Sequence, residues 1–220
     1  SATSSGSQNY VPKWKSSQNL SSTSSIYITD AVSKDSFLTL GCGSEPIGVE
    51  YDGYNKQIWV ANSLSDNVSI FNSNTLEIVG TVSVGNYPIS ISWDSVNNQM
   101  FVANQNSDNV SVIDTTTQTI TATISVGNFP TGVITDNNFG LSFVSNQLGG
   151  SVSVINNNTL SITASISILT PRQFAIDSDN ENLWVTGVGP DFIAKIDINT
   201  LTICSTVSVG TNPYGVSWDS

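Results

Sequence analysis

Gly85-Asn-Tyr-Pro88-Ile-Ser-Ile-Ser-Trp-Asp94-Ser-Val-Asn-Asn-Gln-Met-Phe101-Val-Ala-Asn104-Gln-Asn-Ser-Asp-Asn109-Val-Ser-Val-Ile-Asp114-Thr-Thr-Thr-Gln-Thr119-Ile-Thr-Ala-Thr-Ile-Ser-Val-Gly127 is one complete period of this chain. It reads as four short strands, near Ile89–Trp93, Gln99–Asn104, Asn109–Asp114 and Thr119–Val126. Val, Ile, Thr and aromatic residues fill the runs, and Asn, Asp, Ser and Gly separate them. The runs are apolar on both faces, as expected of a sheet sandwiched between two others.

Outward from this stretch the period recurs. Pro46, Pro88, Pro130, Pro171 and Pro213 follow one another at spacings of 42, 42, 41 and 42, and Asp52, Asp94, Asp136, Asp177 and Asp219 keep the same spacings. Four antiparallel strands per period of about 40–45 residues mark a propeller blade. Complete units occupy 46–84, 88–126, 130–168 and 171–209. A fifth unit is split. Asn212–Asp219 supplies an innermost strand, and Ser25-Ile-Tyr-Ile-Thr-Asp30 matches the third-strand pattern of Val110-Ser-Val-Ile-Asp114. Ser36–Gly41 matches the outer strand that ends in Gly127, and Tyr10-Val11 is the candidate second strand. The expectation is an all-β, five-bladed β-propeller of four-stranded blades, the last blade a composite of N- and C-terminal strands that removes raw sheet edges. Residues 1–24 read as a Ser/Thr/Gln-rich N-terminal arm and 25–220 as a single propeller domain. Closure within one chain comes first because it needs no partner. Exchange of the N-terminal strands between copies, giving a ring or filament, is the alternative.

Composition narrows the function classes. Charged residues are only 10% of 220, and 17 acids against 6 bases give a net charge of −11, with Arg172 the sole arginine. No cationic face can be assembled to displace counterions from phosphates, so nucleic acid is excluded as a partner, and anionic membranes are disfavoured. No apolar run reaches the length of a membrane span. The chain starts at Ser1 and carries sequons at Asn19, Asn67, Asn109 and Asn157, which are glycosylation candidates. We expect a mature, extracellular or cell-surface protein. Cys42 and Cys204 are placed by the register at opposite ends of different blades, and the sequence leaves them either bonded or as two thiols.

Histidine is absent. That removes a Ser-His-Asp or Cys-His arrangement, a His-ligated haem and the usual catalytic zinc site. No enzyme activity, metal or cofactor is expected. The five Asp residues could form a ring of carboxylates, but turn chemistry explains them more simply: Asp ends the inner strand and accepts from the amides that follow. Asp177-Ser-Asp179-Asn-Glu181 resembles part of a calcium loop without its central Gly and distal Glu, and a hairpin turn is the plainer reading. Asn62, Asn104 and Asn146 are expected to close second-strand ends through side-chain to backbone bonds. Trp59, Phe101, Phe143 and Trp184 are expected in the core between blades. Lys13-Trp14-Lys15 is the one basic spot, read as a solvated arm or a docking patch. Function would hide where the repeat breaks, at Phe139-Gly140, Leu148-Gly149-Gly150, Arg172-Gln173 and Gly187–Asp191. Arg172 replaces the Ile47, Ile89, Thr131 and Tyr214 of the other units beside the central channel, where it either binds an anion or, the simpler reading, pairs with an Asp.

The repeat resembles the YVTN family of β-propellers. Gly127-Asn-Phe-Pro-Thr-Gly-Val133 and Phe101-Val-Ala-Asn104 through Asn109-Val-Ser-Val-Ile-Asp114 carry its pattern, in register over residues 25–220. The resemblance implies a propeller of the archaeal or bacterial surface-layer type, with no shared catalytic residues. Five blades, against the seven common in relatives, and Gly187 in place of Asn are departures. Trp93-Asp94 and Trp218-Asp219 do not make WD40 repeats, since they end the first strand and no Gly-His partner exists. The function expected is a non-catalytic extracellular structural or interaction propeller, a subunit of a surface assembly or filament, whose partners are other surface proteins or copies of itself. The alternatives are a carbohydrate-binding, lectin-like propeller with glycan partners, and a propeller lactonase or quinoprotein-type enzyme. With few carboxylates and no histidine, stability is expected to vary little between neutrality and pH 3.

Overall fold

The computed structural model describes residues 25–29, 37–177, 179 and 181–219. A hairpin of β1 (Ser25–Thr29) and β2 (Phe37–Gly41) comes first. The first blade is β3 (Pro46–Asp52), β4 (Gln57–Asn62), β5 (Asn67–Asn72) and β6 (Ile78–Ser83). The second is β7 (Pro88–Asp94), β8 (Gln99–Asn104), β9 (Asn109–Asp114) and β10 (Thr119–Ser125). The third is β11 (Pro130–Asp136), β12 (Leu141–Asn146), β13 (Ser151–Asn156) and β14 (Ser161–Ser167). The fourth is β15 (Pro171–Asp177), β16 (Asn182–Gly187), β17 (Phe192–Asp197) and β18 (Thr202–Ser208). Each is an antiparallel meander with its first strand innermost. Among the described residues no helix is long and apolar enough to cross a membrane.

Among the described residues four four-stranded blades are formed, and the expected composite fifth is not. Residues 209–219 form no strand, because among the described residues no second strand pairs with them. The remaining parts do keep blade register. Ser25 pairs with Gly41 and Ile26 with Leu40, as Asn109 pairs with Ser125 and Val110 with Ile124. The hairpin therefore repeats a third and an outer strand. Its glycine, however, is two residues beyond the one expected. Gly43, not Gly41, abuts the Asn62 side chain, just as Gly85 abuts Asn104 and Gly127 abuts Asn146. A Cβ at these three glycines would come within 2.8 Å of the Asn, so close approach excludes any larger residue. Tyr10-Val11, the expected second strand, and Lys13-Trp14-Lys15 lie outside the described residues.

Turn geometry repeats as faithfully as the strands. Glu45, Tyr87, Phe129, Thr170 and Asn212 all have left-handed backbones just before the blade's proline. Asp66, Asp108 and Asp191 hold this turn by accepting from the amides of Tyr87 (2.9 Å), Phe129 (2.8 Å) and Asn212 (3.0 Å).

Packing between blades follows the alternation of the strands. Trp59, Val68 and Ile70 of the first blade meet Ile91, Met100 and Ile113 of the second. Phe143, Val152 and Val154 of the third meet Phe174, Leu183 and Ile196 of the fourth. At the two ends of the series the cover is incomplete: Val60 and Phe71 on the leading face of the first blade are buried, but the inner strand there and the outer strand of the last blade are not. Val49 is 67% exposed where Ile91 is 6% exposed, and Val207 is 56% exposed where Ile166 is 7% exposed. The end of the fourth blade also differs in sequence: Lys195 stands where Ile70, Val112 and Val154 are fully buried.

Candidate functional site

The repeated carboxylates serve their turns. Asp52 Oδ1 accepts from the amides of Tyr54 (2.9 Å) and Asn55 (3.0 Å), and Asp94 Oδ1 from those of Val96 (2.9 Å) and Asn97 (3.1 Å). Their Oδ2 atoms take the side chains of Asn55 and Asn97. Asp136 repeats the first pair with Asn138 and Phe139. Phe139 replaces that Asn, so Asp136 Oδ2 is buried without a partner. Asp177 is buried in the equivalent place, and Asp219 is exposed. Among the described residues no three acidic, Cys or His side chains gather as a cation would require.

The Asn series bonds differently from the expectation. Asn62 Nδ2 donates to Asn67 Oδ1 (2.8 Å) and Ser69 Oγ (2.9 Å), and Asn104 does the same to Asn109 and Ser111. Asn146 uses Ser151 and Ser153. The acceptors are third-strand side chains rather than backbone, because the Gly of the turn presses each amide against the neighbouring strand. Gly187 breaks the series because the Phe192 ring fills the space a side chain would need. Of the sequons, Asn67 and Asn109 open their strands half-buried, and Asn157 is fully buried, with no room for a glycan on the folded chain. Asn19 lies outside the described residues. Cys42 and Cys204 are not bonded to each other. Burial pushes the Cys42 thiol up, partly offset by a backbone hydrogen bond.

The clearest concave site is on the axis. A funnel of about 340 Å³ is lined by all five equivalent inner positions, Ile47, Ile89, Thr131, Arg172 and Tyr214. Tyr87, Phe129, Gln105, Gln147 and Gln173 complete its wall, and among the described residues no carboxylate lines it. Tyr214 reaches it from the split unit. Its carbonyl oxygen accepts from Thr186 Oγ1 (3.4 Å), and four residues on Trp218 stacks on Trp184 with centroids 6.4 Å apart and 11° between planes. Contrary to the expectation, Arg172 makes no ion pair with an Asp among the described residues. Its guanidinium lies 4.6 Å over the Tyr214 ring, and its Nε is buried with no hydrogen-bond partner. Such a cation–π contact is electrostatic yet leaves the in-plane donors unused. Sequence reasoning found Arg172 but missed the aromatic and amide wall. The signal was present in Tyr87 and Phe129, aromatic residues immediately before successive blade prolines.

The model of the choice-of-anchor I domain family matches residues 6–219. This chain belongs to that family. The match starts at residue 6, inside the segment read as an arm, and runs through the split unit. A choice-of-anchor domain points to a secreted or cell-surface protein. No curated protein matches the sequence. Among solved structures, the domain is similar to hydrazine synthase of Kuenenia stuttgartiensis, with 21% identity and a TM-score of 0.70 over 75% of this chain and 49% of that one. It is also similar to U3-55K, at 9% identity and a TM-score of 0.68 over 76% and 53% of the two chains. A third likeness is to the dihydro-heme d1 dehydrogenase NirN in complex with DHE, at 11% identity and a TM-score of 0.67 over 77% and 38%. The choice-of-anchor domain thus spans about half, or less, of the length of these solved chains. At such identities the likeness shows the β-propeller fold alone.

Proposed function

We propose that this chain is a non-catalytic extracellular propeller, a structural and interaction module of a cell surface, joined to further copies of itself at the split unit. The observation that carries this reading is the pair of incompletely covered blade faces, where Val49 and Val207 stay exposed at positions buried between all neighbouring blades. All units share one register. The trailing face of one copy therefore matches the leading face of another in register, with Lys195 in place of the buried Val154. A contact of that kind is head-to-tail and builds rings or filaments. The split unit adds a second route. Hairpin β1–β2 and residues 213–219 stand for three strands of a blade, and one extended segment completes it by strand addition. Residues 1–24 of a neighbouring copy are the proposed donor. Completion by Tyr10-Val11 of the same chain, giving a closed five-bladed disc, is the competing outcome.

The YVTN-like repeat and its surface-layer association fit this role, as does family membership. The engagement of the turn carboxylates with their own amides favours structure over catalysis. Electron microscopy of the full chain across a range of concentrations is the test. End-to-end contacts that vanish in a Val49→Asp, Val207→Asp double variant are expected. Lone discs at every concentration would overturn the assembly.

A further inference from the structure

We infer that the axial funnel is a binding site for an acidic sugar of the hexuronate class, held by its carboxylate on Arg172. The argument begins with charge. In a chain of net charge −11 the sole arginine sits at a funnel whose lining, among the described residues, holds no carboxylate. Anions are repelled from most of this surface, so one cation in a concave, partly desolvated wall is where a carboxylate gains most. A planar guanidinium matches a carboxylate with two parallel N–H donors. Arg172 is oriented for this by stacking on Tyr214, and its buried Nε has no partner within the protein. A buried donor left unmade is costly, and a ligand oxygen removes that cost.

The wall selects the rest of the ligand. Tyr87, Phe129 and Tyr214 offer flat apolar surface, and Gln105 and Gln147 offer amides that both donate and accept. A few polar groups within aromatic walls, in a cavity of about 340 Å³, suit one or two sugar rings and exclude a long chain. Near-equivalent inner positions ring the axis, yet only one carries a charge, so a single ligand is fixed in a single orientation. The neighbouring Gln173 is already used, since its Nε2 donates to the Thr131 carbonyl (3.1 Å) and fixes the wall beside Arg172.

Calorimetric titration of the full chain with glucuronate, galacturonate, glucose and acetate tests the site. Glucuronate or galacturonate should bind at least about tenfold more tightly than either glucose or acetate, the step a charge-assisted hydrogen bond provides. Arg172→Gln should abolish the preference for the uronate over glucose. Ile89→Glu, which adds a carboxylate to the lining without touching Arg172, should weaken the uronate and spare glucose, and it keeps the test decisive if Arg172→Gln unfolds the ring. Phe129→Ala should weaken the uronate and leave acetate unchanged. No binding by either uronate overturns the proposal. So does equal binding of glucose and glucuronate, acetate binding as tightly as the uronate, or an uronate affinity unmoved by both charge variants.

Discussion

The interfaces between neighbouring blades and the two outermost faces of the series are built from the same repeat, yet they end in opposite environments. Ile91 and Val49 occupy one register position, as do Ile166 and Val207. The first of each pair is buried and the second exposed. Burial here is a property of the neighbour, not of the residue, because each sheet can cover its apolar face only with the next sheet. One position differs in chemistry as well. Lys195 at the trailing face replaces Val154 of the third blade, and its ammonium lies 5.9 Å over the Trp184 ring, so that this face is adapted to a polar neighbour or to water.

The sharpest way to break this contrast is to move the lysine. Val154→Lys puts an unpaired charge between blades and should cost more than about 4 kcal/mol in urea unfolding, whereas Lys195→Val should be neutral or stabilising. If Lys195→Val destabilises, the trailing face is covered by something that uses the charge. Next in size, Ile91→Ala should cost about 2–4 kcal/mol and Val49→Ala under about 0.5 kcal/mol. Equal losses would mean that the leading face is buried in solution. The turn carboxylates follow. Asp94→Ala removes a buried acceptor of three hydrogen bonds and should cost about 2 kcal/mol, while exposed Asp219→Ala should leave the melting temperature unchanged.

The smallest effect is electrostatic. Glu50 faces the first interface from β3, and burial holds its carboxyl above the usual carboxylate range, partly offset by the Tyr51 amide donating to Oε1 (2.9 Å). A folded value above the unfolded one means that ionised Glu50 destabilises. The penalty is full above the folded value, shrinks as pH falls through it, and is gone below the unfolded value. Glu50→Gln should therefore raise the melting temperature at pH 7 by about 1–2 °C and not at pH 3. A gain that is the same at both pH values would show that the effect is not ionisation.

Most of this architecture was legible in the residues. The proline and aspartate spacings mark each blade, and the β8 and β9 boundaries coincide with those read from the period. What the residues could not reveal was pairing without a partner. Asn212–Asp219 has the inner-strand pattern, but a strand exists only if a second strand pairs with it. The glycine register failed for a related reason. Gly41 and Gly43 are two residues apart, and a slip of two keeps every side chain on its face. Only contact with Asn62 distinguishes them. At the funnel, Arg172 stood out as a break in a series, whereas its stacking on Tyr214 depends on bringing the fourth blade beside the chain's last residues.

The left-handed turns have a consequence for engineering. Leu76, Gln118, Leu160 and Leu201 hold that conformation in the hairpin before each outer strand, and the three leucines pack against buried cores. Glycine or asparagine there relieves steric crowding but gives up the packing of Leu76, Leu160 and Leu201 against the cores they border. A graft at one of these leucine turns must therefore keep the apolar side chain that covers the core, and the strained backbone persists because that packing holds it.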